Sequence, residues 1–470
     1  MENDKTTAKP ISLKEDILDT DDPYIPVPEL KDQMDELWQS ISMGVPITHQ
    51  LKELVKKFPS YPQPVNLLSY VYSQRNKGKE GKELNGKALK DFPLSVETRL
   101  VHLRILLREE DYDAMEAFMD LSLPYEQQFP ERKKVLITEY FDYEVLGIEW
   151  HLLNEETDKA IRRAHRLMPL LHKMDLGYLA ENVLRIMDSY YDEDDPSPVL
   201  DHCLLSIERV IIGYPPLPDL HHPELSILYR ELSADDAPAL AALAKLPKTT
   251  LGADLNRIVV DALDETSFFA AGTNRDWDLI LVGFVLLAEI GDQEGWTNWL
   301  RFLKYDEDTI KYWTGDFLLS HLFVVTYKLS HQEPARLVHE MLFDYDDHWI
   351  PVQFVMALWL IAVLDSTQKE TVVKAFHESI NKQFYLATET GDFNDTLLAN
   401  LIIKACELDF SEFRNYISKA FGQNLIDIPV YGEEEQFTRE LQEEGMALQE
   451  QVEYRIATMS LTDLLKDFFE

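Results

Sequence analysis

Glycine is scarce in this 470-residue chain, at 17 residues. All-β folds and phosphate-binding folds lean on glycine for left-handed turns and close backbone approach, so the shortage points to helices. No Gly-x-Ser-x-Gly, phosphate loop, Gly-x-Gly-x-x-Gly or Cys-x-x-Cys occurs, which argues against a nucleotide enzyme or a serine hydrolase. Cysteine is rarer still. Cys203 and Cys406 stand far apart in apolar contexts, the pattern of small buried residues in a reducing compartment. Long apolar runs are missing too: Leu279–Ala288 is short, and Ile350–Leu364 has only 15 residues and contains Gln353, against ~20 for a spanning helix. The first residues, Met1 to Lys5, lack the basic-then-apolar order of a signal peptide. The expectation is a cytoplasmic protein with no membrane span.

Negative charge is what the chain has in excess. The formal net charge of −39 is uneven: residues 1–50 carry −7, residues 51–190 carry −2 and residues 191–470 carry −30. Such a surface repels phosphate backbones, which disfavours nucleic acid as a partner. Hydrophobic residues at 45% and aromatics at 11% are enough for continuous cores. At this length two or three domains or one extended array are expected.

Pro23, Pro26 and Pro28 forbid a helix in the acidic start of the chain, so residues 1–46 read as an extended arm and one short helix near Glu29–Ile41. Beyond it the dipeptide Phe-Pro recurs at Phe58-Pro59, Phe92-Pro93 and Phe129-Pro130, spaced by 34 and 37 residues. Each has helical patterning on both sides, and the prolines are expected at helix starts. Leu68, Ser69, Tyr72, Gly81, Ala88 and Pro93 follow the large, small, aromatic, small, small and proline order of a tetratricopeptide repeat. Glu110–Met115 and Thr157–Ile161 match its turn into a second helix, without the turn glycine. Residues 47–190 therefore resemble the tetratricopeptide family, which implies stacked antiparallel helix pairs.

Residues 191–235 break this pattern with Asp192–Asp195, Pro215, Pro216, Pro218 and His221-His222-Pro223, read as a solvated junction holding one helix near Val199–Ile211. A new phrase then appears: an apolar helix, the turn Gly291-Asp292, and an amphipathic helix at Trp296–Leu303. Lys328–Pro334 and Val363–Gln368 repeat the turn, and Ala239–Leu263 is a weaker earlier unit. Residues 236–420 resemble HEAT repeats, and in general texture the rear half resembles bacterial HEAT-like α-solenoid proteins with no assigned activity. In the tail, residues 421–470, Phe437, Leu441, Leu448 and Val452 fall on one face of an acidic helix, and Ser460 is placed to cap a last helix. That tail is expected to cover the open end of the array. The fold class is thus all-α, an α-solenoid of tetratricopeptide-like front and HEAT-like rear.

Candidate sites are few. His339-Glu340 and His377-Glu378 recur 38 residues apart, and imidazole with carboxylate suits a transition metal. Deoxyhypusine hydroxylase, a HEAT-type di-iron enzyme, uses such pairs. This chain has two where that family has four, and they follow the turn where the family's precede it. The alternative reading is polar residues on an exposed helix face. Asp344, Asp346, Asp347 and His348 form an acidic loop without the glycine and distal glutamate of a calcium loop, and read as a helix cap. Arg75, Lys77, Lys79, Lys82, Lys87 and Lys90 gather at one helix turn, and Asn66, Arg99 and Lys133 are expected on first helices, where tetratricopeptide grooves grip acidic tails. The partner-binding candidates are Asn66, Arg75, Lys79, Lys82, Arg99 and Lys133. The resulting expectation is a non-enzymatic scaffold or adaptor without cofactor, binding proteins or peptides, its acidic rear favouring basic partners. The alternative is a HEAT-type metalloenzyme.

Overall fold

A computed structural model describes residues 12–14, 21–42, 45–75, 77–190, 197–270, 278–314, 321–330, 333–343, 345, 347–391, 393–443 and 452–469. Those residues are almost entirely helical, and the chain divides into two compact units. The front unit comprises residues 1–195 and 203–216, and the rear unit residues 196–202 and 217–470. No helix among the described residues is long and apolar enough to cross a membrane.

The front unit begins with β1 (Ser12–Lys14) and continues through α1 (Pro28–Ser42), α2 (Thr48–Lys57), α3 (Pro62–Gln74), α4 (Gly78–Asp91), α5 (Val96–Arg108), α6 (Tyr112–Phe118) and α7 (Tyr125–Gln128). After β2 (Lys134–Leu136) come α8 (Ile137–Leu153), α9 (Thr157–Lys173) and α10 (Gly177–Asp188). Helices pack on their sequence neighbours: α3 on α2, α4 and α5, α5 on α6 and α8, α9 on α8 and α10. The Phe-Pro repeats end helices rather than start them. Phe58, Phe92 and Phe129 are C-caps in one shared conformation, with φ of −122°, −126° and −129° and ψ of 59°, 63° and 64°. A residue before proline is driven out of the α region, so each helix stops at the phenylalanine. Pro59 and Pro93 then lie in turns, three residues ahead of α3 and α5.

Where a tetratricopeptide turn would carry glycine, Glu110, Glu155 and Asp175 adopt left-handed φ values of 58°, 59° and 56°. A buried ionic centre fixes the third pair. Arg163 donates to the Leu121 and Leu123 carbonyls and lies 3.5 Å from Glu144. Its guanidinium fills the space that a Cβ on Gly147 would need, so the absence of a side chain there makes room for the arginine. The arm is not free either: β1 pairs parallel with β2, Leu13 opposite Val135.

Helix α11 (Pro198–Ile211) spans the boundary between the units. The rear unit follows with a 3₁₀ turn at Pro223–Tyr229, then α12 (Ala237–Leu243), α13 (Lys248–Asp264), α14 (Thr266–Ala270), α15 (Leu279–Ile290), α16 (Gln293–Phe302), α17 (Glu307–Thr314), α18 (Leu322–Leu329) and α19 (Pro334–Met341). It ends with α20 (Ile350–Leu364), α21 (Lys369–Glu389), α22 (Asp395–Gly422), α23 (Ile428–Tyr431), α24 (Glu434–Glu443), α25 (Val452–Thr458) and α26 (Leu461–Phe469). The three turns read from the sequence fall between α15 and α16, α18 and α19, and α20 and α21. Gly291 ends α15 at φ 69°, and Asp292 caps α16 by accepting from the Gly295 amide at 2.9 Å. Asp292 also accepts from Asn256, whose own carbonyl accepts from Asn298 at 2.7 Å. This buried polar ladder ties α13 to the next pair.

One expectation is corrected in the rear unit. His221 and His222 are not solvated linker: His221 Nδ1 lies 2.7 Å from Asp254 on α13, and His222 Nε2 lies 2.7 Å from Thr250. Of the tail residues expected on one face, Phe437 lies on α24 and Val452 begins α25, while Leu448 lies outside the described residues. Within the tail, α24 packs on α22, the long helix before it. Ser460 caps α26 as expected, accepting from the Asp463 amide, and α26 packs on α12, the first helix of the unit. Leu465 there is fully buried, and Asp467 reaches His321 at 2.6 Å. The apolar stripe of the last helix is satisfied by the first.

Two outcomes test this packing. Glu155→Gly is expected to stabilise the front unit by about 0.5–1 kcal/mol, because glycine takes positive φ without steric cost, read as a higher urea midpoint. Leu465→Ala is expected to cost about 2–4 kcal/mol in the rear-unit transition; an unchanged midpoint would show that α26 is not part of the core.

Candidate functional site

Four helices of the front unit lend the same position to one space. Gln63, Glu97, Thr138 and Tyr178 are each the second residue of their helix, on α3, α5, α8 and α10. All four line a cavity of about 760 Å³, within the ~300–1,000 Å³ of ordinary ligand sites. One turn further on, Leu100 and Phe141 add apolar wall, joined by Ile25 from the arm and Met34 from α1. Two exposed aromatics border it, Trp38 at 50% and Tyr178 at 62%.

Charge in the cavity is one-sided. Asp22, Asp35, Glu97, Glu139 and Asp142 line it, against Lys31. Arg132, 5% exposed, sits behind it, 3.0 Å from Glu139, 3.5 Å from Asp21 and 3.7 Å from Asp22. Asp21 further accepts from the Lys133 and Lys134 amides. The Tyr125 hydroxyl donates to Glu139. Asp142 pairs with Arg104 at 2.7 Å.

Burial sets the protonation of these acids. The Glu97 carboxyl is pushed up to about 8, chiefly by desolvation; Asn66 pulls it down, and the charges of Asp22, Asp142 and Glu139 raise it further. Glu139 rises to about 7 through burial, with Arg132 and Tyr125 opposing. Asp142 is raised by burial and pulled back by Arg104; 44% of its side chain stays accessible, as fits a group on a cavity wall. Asn66 is fully buried beside Glu97, yet neither of its amide atoms meets hydrogen-bond geometry with a partner.

The residues singled out in the sequence fall differently. Of the six partner-binding candidates, only Asn66 stands against this site. Arg75 donates to Thr48, and Lys79 is exposed on α4. Lys82 is held by Glu109 at 2.6 Å and Asp111 at 3.5 Å. Arg99 donates to the Pro93 carbonyl and lies over the Phe129 ring. Lys133 is not on a first helix but in the turn before β2. No basic residue of that set is among those lining the cavity. The missed residues were signalled by position alone: the second residue of each first helix.

In the rear unit the His-Glu pairs do not converge. His339 contacts its neighbour Glu340 at 3.0 Å, and Glu340 also accepts from Tyr345. His377 uses both ring nitrogens, on Glu412 at 2.7 Å and Tyr416 at 3.0 Å, and Glu378 faces Lys374. Asp344 and Asp346 lie outside the described residues, while Asp347 accepts from the Trp349 amide. Among the described residues no group of three or more His, Cys, Asp or Glu is arranged to hold a metal ion.

Residues 272–468 match the model of a protein family described as of unknown function, DUF1186. Neither the curated proteins nor the solved structures contain a match. The similarity falls within the rear unit and does not reach the cavity.

An acid whose folded pKa stands above its ordinary value of 4.5 contributes stability that is present below about pH 4.5 and lost as pH rises through about 8. Glu97→Gln removes that loss. Urea unfolding followed by tryptophan fluorescence is expected to show no gain near pH 4.5 and a gain of roughly 1–3 kcal/mol at pH 8.5. A difference independent of pH would count against the buried, proton-holding Glu97.

Proposed function

We propose that the chain is a non-enzymatic scaffold or adaptor, two α-solenoid-type arrays that hold segments of other proteins in the cytoplasm. The front array is read as tetratricopeptide-like and the rear as HEAT-like. Sequential packing of helix on neighbouring helix supports this in each unit. The observation that carries it is the cavity built from equivalent positions of four helices, α3, α5, α8 and α10. A groove assembled by repetition is rigid before a ligand arrives, so less ordering cost falls on binding.

The charge pattern supports a basic partner. Carboxylates outnumber cations in the front cavity, and residues 191–470 carry −30. Long-range attraction of that kind speeds encounter and selects positive chains.

A lysine- and arginine-rich extended peptide is expected to bind the full chain with a Kd of about micromolar order, weakening at least about tenfold between about 0.05 and 0.5 M salt. Fluorescence anisotropy reads both, beside an acidic peptide of equal length. Trp38→Ala with Tyr178→Ala is expected to weaken binding about fivefold or more. Equal binding of the acidic peptide, or indifference to salt, refutes the reading.

A further inference from the structure

The front cavity contains a part-buried carboxylate, Glu97, with which no cation of the described residues pairs. Asp142 has Arg104, and Asp22 and Glu139 share Arg132. Asp35 lies one helical turn from Lys31 on α1. Glu97 has only acids and an amide around it: Asp22 from the arm, Glu139 and Asp142 from α8, and Asn66 from α3. Among the described residues no cation forms an ion pair with it. A part-buried carboxylate without a cation is costly, and neither amide atom of the fully buried Asn66 beside it meets hydrogen-bond geometry. Both stand at the same place, where one arriving donor that carries positive charge serves the Glu97 carboxylate and the Asn66 Oδ1, and the Asn66 Nδ2 is left to the carboxylate.

The rest of the lining restricts what carries that charge. Met34, Leu100 and Phe141 are apolar wall, and Trp38 and Tyr178 offer exposed rings beside it. Rings attract cations and cover methylene chains equally well. A hard metal ion wants about six oxygen ligands, whereas Asp142 is engaged by Arg104, Asp22 and Glu139 by Arg132, and Asp35 is exposed. A guanidinium suits a bidentate carboxylate with its second face open; Glu97 stands between α3 and α8 with a single amide beside it, the setting for a compact point charge.

We propose that this cavity binds a primary ammonium group on an apolar stem, the ammonium pairing with Glu97 and Asn66 and the stem lying along Met34, Leu100 and Phe141. This deepens the scaffold reading by naming what its front cavity accepts: a lysine side chain presented by a peptide, or a free alkyl amine of the same chemistry. Binding is coupled to a proton. In the empty cavity Glu97 holds its proton at neutral pH, its pKa standing at about 8. The arriving ammonium keeps its own protons and displaces the one on Glu97, so a neutral acid and a cation become an ion pair, and one proton leaves to solvent. Asp22, Glu139 and Asp142 attract the arriving ammonium and hold the Glu97 proton alike, so their field is nearly unchanged by the exchange. The first turn of α5, where Glu97 sits, also favours an anion once formed.

Titration calorimetry on the full chain tests it with two probes, n-pentylamine and a short peptide carrying one lysine between alanines. Each is measured from pH 6 to 9 in two buffers of different ionisation enthalpy. Binding is expected to strengthen roughly tenfold per pH unit below about 8 and to level above it, with about one proton released per site near pH 7. Glu97→Gln, which keeps shape and removes charge, is expected to lose at least tenfold in affinity at pH 8 together with the proton release, while its circular dichroism is unchanged. Binding by either probe in this pattern supports the assignment, and the tighter probe identifies the source of the ammonium. If n-pentylamine alone binds, the ammonium site stands and the peptide scaffold falls. No binding of either probe below about 10 mM, or equal binding by Glu97→Gln without a change in proton release, overturns the assignment.

Discussion

Arg132 is the charge on which the front unit's cavity depends. It is almost wholly buried, and three carboxylates, Asp21, Asp22 and Glu139, stand around it. Two of these belong to the N-terminal arm and one to α8, so a single guanidinium fastens a segment early in the sequence to a helix more than a hundred residues later. A buried arginine deprived of its acids is strongly destabilising, which gives the arm a fixed seat although its prolines bar it from helix. With the arm seated, Tyr24, Ile25 and Pro26 become cavity wall. Nothing about the repeats themselves would have closed that side.

The helical character, the helix pairs and the turns of both units were legible from the sequence, because proline, glycine and apolar spacing act locally. Phe58, Phe92 and Phe129 show the limit of such signals. Their spacing marked a repeating event, yet the prolines were read as helix starts, when their stronger effect is on the residue before. Glu110, Glu155 and Asp175 take left-handed φ without glycine, so those turns carried no glycine signal in the sequence. Tertiary choices were hidden. That β1 pairs with residues 134–136, or that α26 seats on α12, involves partners a hundred or more residues apart, and no periodicity carries that information.

The site was less legible than the fold. Attention to Arg75, Lys79, Lys82, Arg99 and Lys133 followed the chemistry of carboxylate-binding grooves, but Lys82 is consumed by Glu109 and Asp111, and Arg99 by a backbone carbonyl. The residues that do converge are Gln63, Glu97, Thr138 and Tyr178, four different chemistries united only by their place on a helix. Composition cannot reveal such a set. Likewise the raised pKa of Glu97 depends on how deeply α5 is packed and on which charges α8 places opposite, not on any neighbour in sequence.

The return of α26 to α12 has a consequence for how the rear unit can vary. An open-ended array tolerates the gain or loss of a helix pair, since each addition simply moves the terminus along. Here the last helix must meet the first, so the number of pairs between them is fixed by geometry. A duplicated or deleted pair would part Leu465 from its seat and separate Asp467 from His321, leaving apolar surface at both ends. A change in the helix count between α12 and α26 therefore disturbs both ends of the unit at once.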